Sequence, residues 1–173
     1  MKRIFILLAF VALLTSCTQP TKIAYVDVEE LMKEYKGTKE TEATMKVKSE
    51  KLKAELDSLV GGWQNRARIY QEKSQGMSNK VRAEREQVLM QEQQQINQRQ
   101  QTIQQQVQAE GQKSLEILSK EINDFVKNYA IEKGFNFVLG TTGDNGTVMY
   151  GEEKADITDE VLIQLNKSFK AKE

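Results

Sequence analysis

The sequence predicts an α+β fold. A small β-strand body, three strands per chain and completed by joining edges between copies, carries a long antiparallel α-helical hairpin arm and a C-terminal helix. Three observations point there. Charged residues make up 29% of the 173 residues, aromatics 7%, and there is one proline, a balance that suits long helix better than a compact globule. Apolar residues at heptad spacing run through the middle of the chain, on both sides of its one central cluster of turn formers. Short segments of period two lie before and after that helical stretch.

Residues 1–16 read as a signal peptide. Lys2 and Arg3 precede an apolar run, Ile4 to Leu14, too short to span a bilayer. The run ends in Leu14-Thr15-Ser16-Cys17, small residues before a cysteine, the pattern of a lipidation site. Cys17 is the only cysteine, so it has no disulfide partner within the chain. Residues 17–21 are then the lipidated N-terminus and a linker, and residues 18–21 reach at most about 14 Å. Thr18 rather than an acidic residue follows Cys17. By resemblance to bacterial lipoproteins generally, that favours the periplasmic face of the outer membrane.

The body is expected over residues 22–36 and 116–173, and the arm over 37–115. Lys22 to Val28 alternates, with Ala24, Val26 and Val28 on one face of a strand. Asp27, Glu29 and Glu30 sit where a strand meets a helix and read as caps. In the first arm Met45, Leu52 and Leu59 are spaced by seven, as are Leu56, Trp63 and Tyr70, which makes a seam facing another helix. The cluster at 74–79 marks the tip, with Ser78 or Asn79 to cap the second arm. There Leu89, Ile96 and Ile103 keep the heptad, Val107 lies one turn on, and Gln93 and Gln100 fill the partner positions. That gives a loosely held seam. The same glutamine-rich tract also reads as low complexity. Gly37, Gly61, Gly62 and Gly111 are expected bending points, since glycine costs about 1 kcal/mol against alanine inside a helix. Gly134 should end the second arm in a left-handed cap. Phe135–Leu139 and Thr147–Tyr150 are expected strands around a turn at Gly143–Gly146. Asp156–Glu160 should cap the last helix, with Val161, Leu162, Leu165 and Phe169 on its apolar face.

A body this small buries little apolar surface, and three short strands leave open edges. Self-association answers both, with Val26, Val28, Phe137, Leu139 and Val148 in a shared interior. The number of copies does not follow from these residues. Lys+Arg and Asp+Glu balance at 25 each, which gives no case for nucleic acid as a partner. There is no histidine, hence neither the commonest general base nor the commonest metal ligand. No catalytic residues, no metal site and no cofactor are expected, and the chain does not read as an enzyme.

The order of parts resembles the Skp/OmpH family of periplasmic chaperones over essentially the whole mature chain. The specific segments are Lys-Ile-Ala-Tyr-Val-Asp at 22–27, Glu-Lys-Gly-Phe followed by Val-Leu at 132–139, and Asp-Ile-Thr-Asp-Glu-Val-Leu at 156–162. The resemblance implies a homotrimer with a small central β-barrel and three helical tentacles. Their cavity would hold unfolded outer-membrane β-barrel proteins without ATP. Well-known members are soluble and strongly basic, whereas this chain is near neutral and carries a lipidation pattern. On that footing Met45, Met77, Leu89, Met90 and Ile96 are candidate apolar contacts for a client. The basic tip supplies Arg66, Arg68, Lys73, Lys80, Arg82 and Arg85 against Glu72 and Glu84, a net of +4. Those cations read either as capture groups for acidic chains or anionic lipid headgroups or as an ordinary solvated helix surface. The rival whole-protein reading is a structural coiled-coil lipoprotein, a spacer of the envelope.

Overall fold

The computed structural model describes residues 20–142 and 148–170. The signal segment, Cys17 and the turn at 143–146 lie outside the described residues. Strand β1 (Ile23–Asp27) is followed directly by helix α1 (Val28–Glu34). Asp27 makes the change of direction, because its carboxylate accepts the N–H of Glu30 at 3.0 Å and so caps the helix. Tyr35, at ψ 129°, interrupts the helix for one residue. Helix α2 (Lys36–Lys73), a 3-10 turn at Ser74–Gly76 and helix α3 (Asn79–Lys133) then form the hairpin. Ser78 caps α3 by accepting the N–H of Val81. Gly134 closes it at φ 71°, a conformation that glycine reaches without the Cβ penalty. Strand β2 (Phe137–Thr141), a 3-10 turn at Glu153–Ala155 and helix α4 (Thr158–Ser168) complete the chain.

The two strands pair in parallel, Ile23 with Phe137 through Asp27 with Thr141. Parallel neighbours need a long crossover, and here the crossover is the entire arm. The second edge of β1 is taken by a single bridge from Tyr25 to Asp156, where the N–H of Ile157 donates to the Tyr25 carbonyl at 3.0 Å. Asp156 also accepts from the N–H and the hydroxyl of Thr158 at 2.9 and 2.6 Å. The carboxylate thus orders the first residue of α4, and the Thr158 hydroxyl, which accepts the N–H of Asp27 at 2.8 Å, fixes that residue to the sheet.

Alternation along β1 puts Ala24 and Val26 inside, against Leu31 of α1, Leu118, Ile122 and Tyr129 of α3, and Ile157, Val161 and Leu165. Leu31 and Val161 are fully buried, each contributing about 1.5–3 kcal/mol of transfer free energy. Val26 therefore serves the chain's own core, and its side chain is not free for an interior shared between copies. The expected third strand is absent among the described residues: Val148, Met149 and Tyr150 form no ladder. The chain passes instead beside Tyr25 of β1, whose ring a Cβ at Gly151 would meet at 2.3 Å, and the free edge of β1 is taken by the bridge to Asp156.

Candidate functional site

From Lys39 to Ile117 no residue is buried. The arm is a ribbon of two helices with a half-buried seam and no core of its own. On α2 the half-buried positions run Met45, Leu52, Leu56, Val60, Trp63, Ala67 and Tyr70. The expected Leu59 lies outside this seam, 42% exposed. An extra step of four, from Leu56 to Val60, moves the seam across the helix face beside Gly61. Such a step is how a 3.6-residue helix makes up its drift against a seven-residue repeat.

On α3 the apolar positions Leu89, Ile96 and Ile103 face the seam as expected, but their partners do not. Gln93 and Gln100 are exposed, and Glu92 and Arg99 stand half-buried instead. The seam is tied by polar contacts across the two helices. Arg66 Nε donates to Glu92 at 2.9 Å, Arg99 meets Glu55 through two bonds of 2.9 and 3.0 Å, and Lys48 meets Glu110 at 2.6 Å. Trp63 Nε1 donates to the Leu89 carbonyl at 2.9 Å, and the Tyr70 hydroxyl donates to Glu86. The Arg99 hydrogen bonds hold Glu55 below the usual glutamate range, and those from Lys48 and then Gln106 do the same for Glu110.

At the tip this pairing leaves a cleft of about 260 Å³. Ile69, Met77, Val88 and Leu89 provide its apolar wall, with Tyr70, Arg66, Lys73, Arg85 and Glu92 around them. The structure thus gathers Met77, Leu89, Arg66, Lys73 and Arg85 of the sequence candidates into one place. It does not bring in Arg68, which pairs with Glu72 on its own helix, nor Lys80 and Arg82. Ile69 and Val88 were missed because neither sits on the heptad; their exposure beside the tip turn was the available signal. Counting the facing helix, residues 64–92 carry six cations and four carboxylates, a net of +2. The hairpin therefore halves the tip charge expected from residues 64–85 alone.

Met45 lies far from that cleft, in a hollow of about 480 Å³ at the arm root beside Tyr35, Gly37, Leu118 and Phe169. Ile96 belongs to the seam, and Met90 is 56% exposed on α3. The root is firmly held. Asn166 of α4 accepts the N–H of Lys36 at 2.7 Å and donates to the Glu34 carbonyl at 3.4 Å, so one amide bridges the break at Tyr35. The Tyr35 ring lies edge-on to Phe169 and crosses over Gly37, where a Cβ would meet it at 2.4 Å. Gly37 is thus a close-approach position, not an open bending point. A Cβ at Gly61 or Gly111 would meet nothing within 4 Å beyond its own stretch of helix.

The outer face of the sheet is apolar and open. Ile23, Phe137 and Leu139 are 51%, 58% and 42% exposed, and the register sets Ile23 beside Phe137 and Tyr25 beside Leu139. Val28 is not on this face: it packs, half-buried, against the chain's own core, and Val148 is half-buried. Among the described residues there is no cluster of potential metal ligands, and no helix is long and apolar enough to cross a membrane.

The fold is similar to that of an OmpH-like candidate outer membrane chaperone from Caulobacter crescentus CB15, with a TM-score of 0.79, 19% identity and 88% of each chain covered. No curated protein matches the sequence. The profile of the family "Outer membrane protein (OmpH-like)" matches residues 22–165, from the first residue of the body to the middle of α4. With its two-strand body, its hairpin and most of its closing helix inside that match, the chain belongs to the OmpH-like family.

Proposed function

We propose that this protein is an ATP-independent holding chaperone for unfolded outer-membrane β-barrel proteins. A chaperone's role, rather than an enzyme's, goes with membership of the OmpH-like family. The observation that carries the finer reading is the arm without a buried residue from Lys39 to Ile117. Helices that served only as a spacer would do best to bury their apolar side chains. Here Val47, Leu59, Ile69, Val81, Val88 and Met90 stay exposed, giving many weak contacts and no deep pocket, which suits a client that must remain mobile.

Several copies, three by the family resemblance, join through the open sheet face around Phe137 and Leu139, with the segment at 148–150 free to complete a neighbour's sheet. The arms then surround a space in which the client is held. Lipid on Cys17 anchors the assembly to the periplasmic face of the outer membrane. The tether is short, because Lys22 is already fixed to the body: its N–H donates to Asn136 at 2.7 Å and its ammonium donates to the Lys133 carbonyl at 3.0 Å.

The test is dilution of a urea-unfolded outer-membrane β-barrel protein with and without the acyl-free mature chain, in the absence of nucleotide, read by light scattering. Suppression of scattering at near-stoichiometric amounts is expected. Undiminished scattering would favour the structural spacer.

A further inference from the structure

Between Gln87 and Ala109 the only charged residues are Glu92 and Arg99, and both are spent on α2, Glu92 on Arg66 and Arg99 on Glu55. The solvent side of α3 is therefore uncharged over about 34 Å, in a chain of which 29% is charged. The residues on that side form a pattern. Starting at Gln87, steps of four, three, four, three, four and three land on glutamine every time and end at Gln108. Each of these seven glutamines is exposed, while the seam positions two residues earlier, from Leu89 through Glu92, Ile96, Arg99 and Ile103 to Gln106, are half-buried. A shift of two residues is about 200° around a helix, so the stripe runs on the side of α3 away from α2 as far as Gln105, and Gln108 at its end flanks the groove that Ile103 and Val107 form with Lys53 and Leu56. Among the described residues none of its seven side-chain amides has a hydrogen-bond partner. The next glutamine in the series, Gln112, does, donating to Glu116 at 3.3 Å.

An amide offers two donors and an acceptor with two lone pairs, and no charge. A stripe of them has little to give a lipid tail, because it is not apolar. It has little to give a phosphate or an acidic side chain, because it carries no cation. Sugars are commonly gripped by stacking on aromatic rings, and residues 87–112 contain none. The chemistry that matches in both charge and hydrogen bonding is another amide: the peptide backbone of an extended, unfolded chain, whose N–H and C=O groups are likewise neutral and unpaired.

We propose that the glutamine stripe from Gln87 to Gln108 is a backbone-binding rail, on which an unfolded polypeptide is held through its main-chain amides whatever its side chains or net charge. This rests on the holding function proposed above and names the part of the arm, and the part of the client, that meet. Each contact exchanges a hydrogen bond to water for one to protein, so its net strength is small. A client can then slide along the rail without being trapped.

The experiment uses the acyl-free mature protein with Gln91→Ala, Gln94→Ala, Gln98→Ala, Gln101→Ala and Gln105→Ala combined. Alanine keeps the helix and leaves the charge unchanged. The probe is a urea-unfolded eight-stranded outer-membrane barrel protein, with affinity read by fluorescence at low salt and at about 0.5 M salt. The expected result is binding weakened by about tenfold, equivalent to one or two net hydrogen bonds, by the same factor at both salts and with unchanged helix content and assembly mass. A second variant, Gln→Glu at the same five positions, keeps the shape but loses the donors. It should bind weakly too, with a new dependence on salt. Equal or tighter binding by the alanine variant overturns the rail. So does a change in its assembly mass, which would make the stripe a contact between copies. If the wild-type protein itself fails to hold the client, the holding function falls and the rail with it; if the wild type holds and the alanine variant holds equally, only the rail falls.

Discussion

Tyr129 shows how one buried side chain ties the body's stability to pH. Its hydroxyl donates to Glu160 at 2.7 Å, and burial, followed by that carboxylate, pushes its pKa from 10.0 up to about 12. Because the folded value is raised, the stabilisation is fully present below pH 10 and is lost as pH rises from there towards 12. Urea midpoints measured across that range should fall for the wild type and stay flatter for Tyr129→Phe. Glycine exchanges test a different residue-scale feature. Gly37→Ala forces the Tyr35 ring off Phe169 and should destabilise by about 1–3 kcal/mol. Gly111→Ala, in open space, should stabilise by up to about 1 kcal/mol; thermal melts separate the two. Caps such as Asp27, Ser78 and Gly134 were legible because a cap is a local device, settled by neighbours three or four residues away. Gly37 was not, because what lies over it is the ring of Tyr35, itself held by Phe169 from the far end of the sequence.

The arm's two helices were also legible as elements, through their repeats, but the manner of their pairing was not. A glutamate or arginine on a helix reads as a solvated group, and only the facing helix turns Glu92 and Arg99 into members of the seam. Exposed pairs of this kind are each worth little, since solvent and salt screen them, so the arm is held by several weak ties rather than by a core. Two consequences can be measured with labels on the two helices near residues 55 and 99. Arg99→Ala should widen or broaden the distance distribution locally, with little effect on the melting of the body. Lower pH should do the same: the depressed pKa values of Glu55 and Glu110 mean that their pairing stabilises the folded arm above the ordinary glutamate value of 4.5 and is lost as pH falls below it. At the root the Asn166 amide that bridges the break at Tyr35 is uncharged, but the hydrogen bond from Lys39 holds Glu34 below the usual glutamate range, so acid should loosen that contact as well.

For the whole molecule, the two-strand body with Ile23, Phe137 and Leu139 in solvent is an unfinished surface. Phe137→Asp with Leu139→Asp leaves the chain's own core untouched, since neither side chain belongs to it. Sedimentation should show the wild type as a multi-chain assembly and this variant as single chains of unchanged helix content. A wild type that is itself a single chain would remove the assembly from the proposal. The place of the sheet in the chain order also bears on biosynthesis. Lys22 and Asn136, hydrogen-bonded neighbours in the finished body, are 114 residues apart, and beyond β1 everything between them is helix and turn. As the polypeptide emerges from a ribosome or a translocation channel, the hairpin can zip from its tip by contacts between nearby residues, and this brings the two ends together at little loop-closure cost. The first strand must wait until Phe137–Thr141 is out. A nascent chain cut short before Phe137 owns limbs but no sheet, so quality control is built into the order of its parts: only a completed copy can display the surface by which copies would recognise one another.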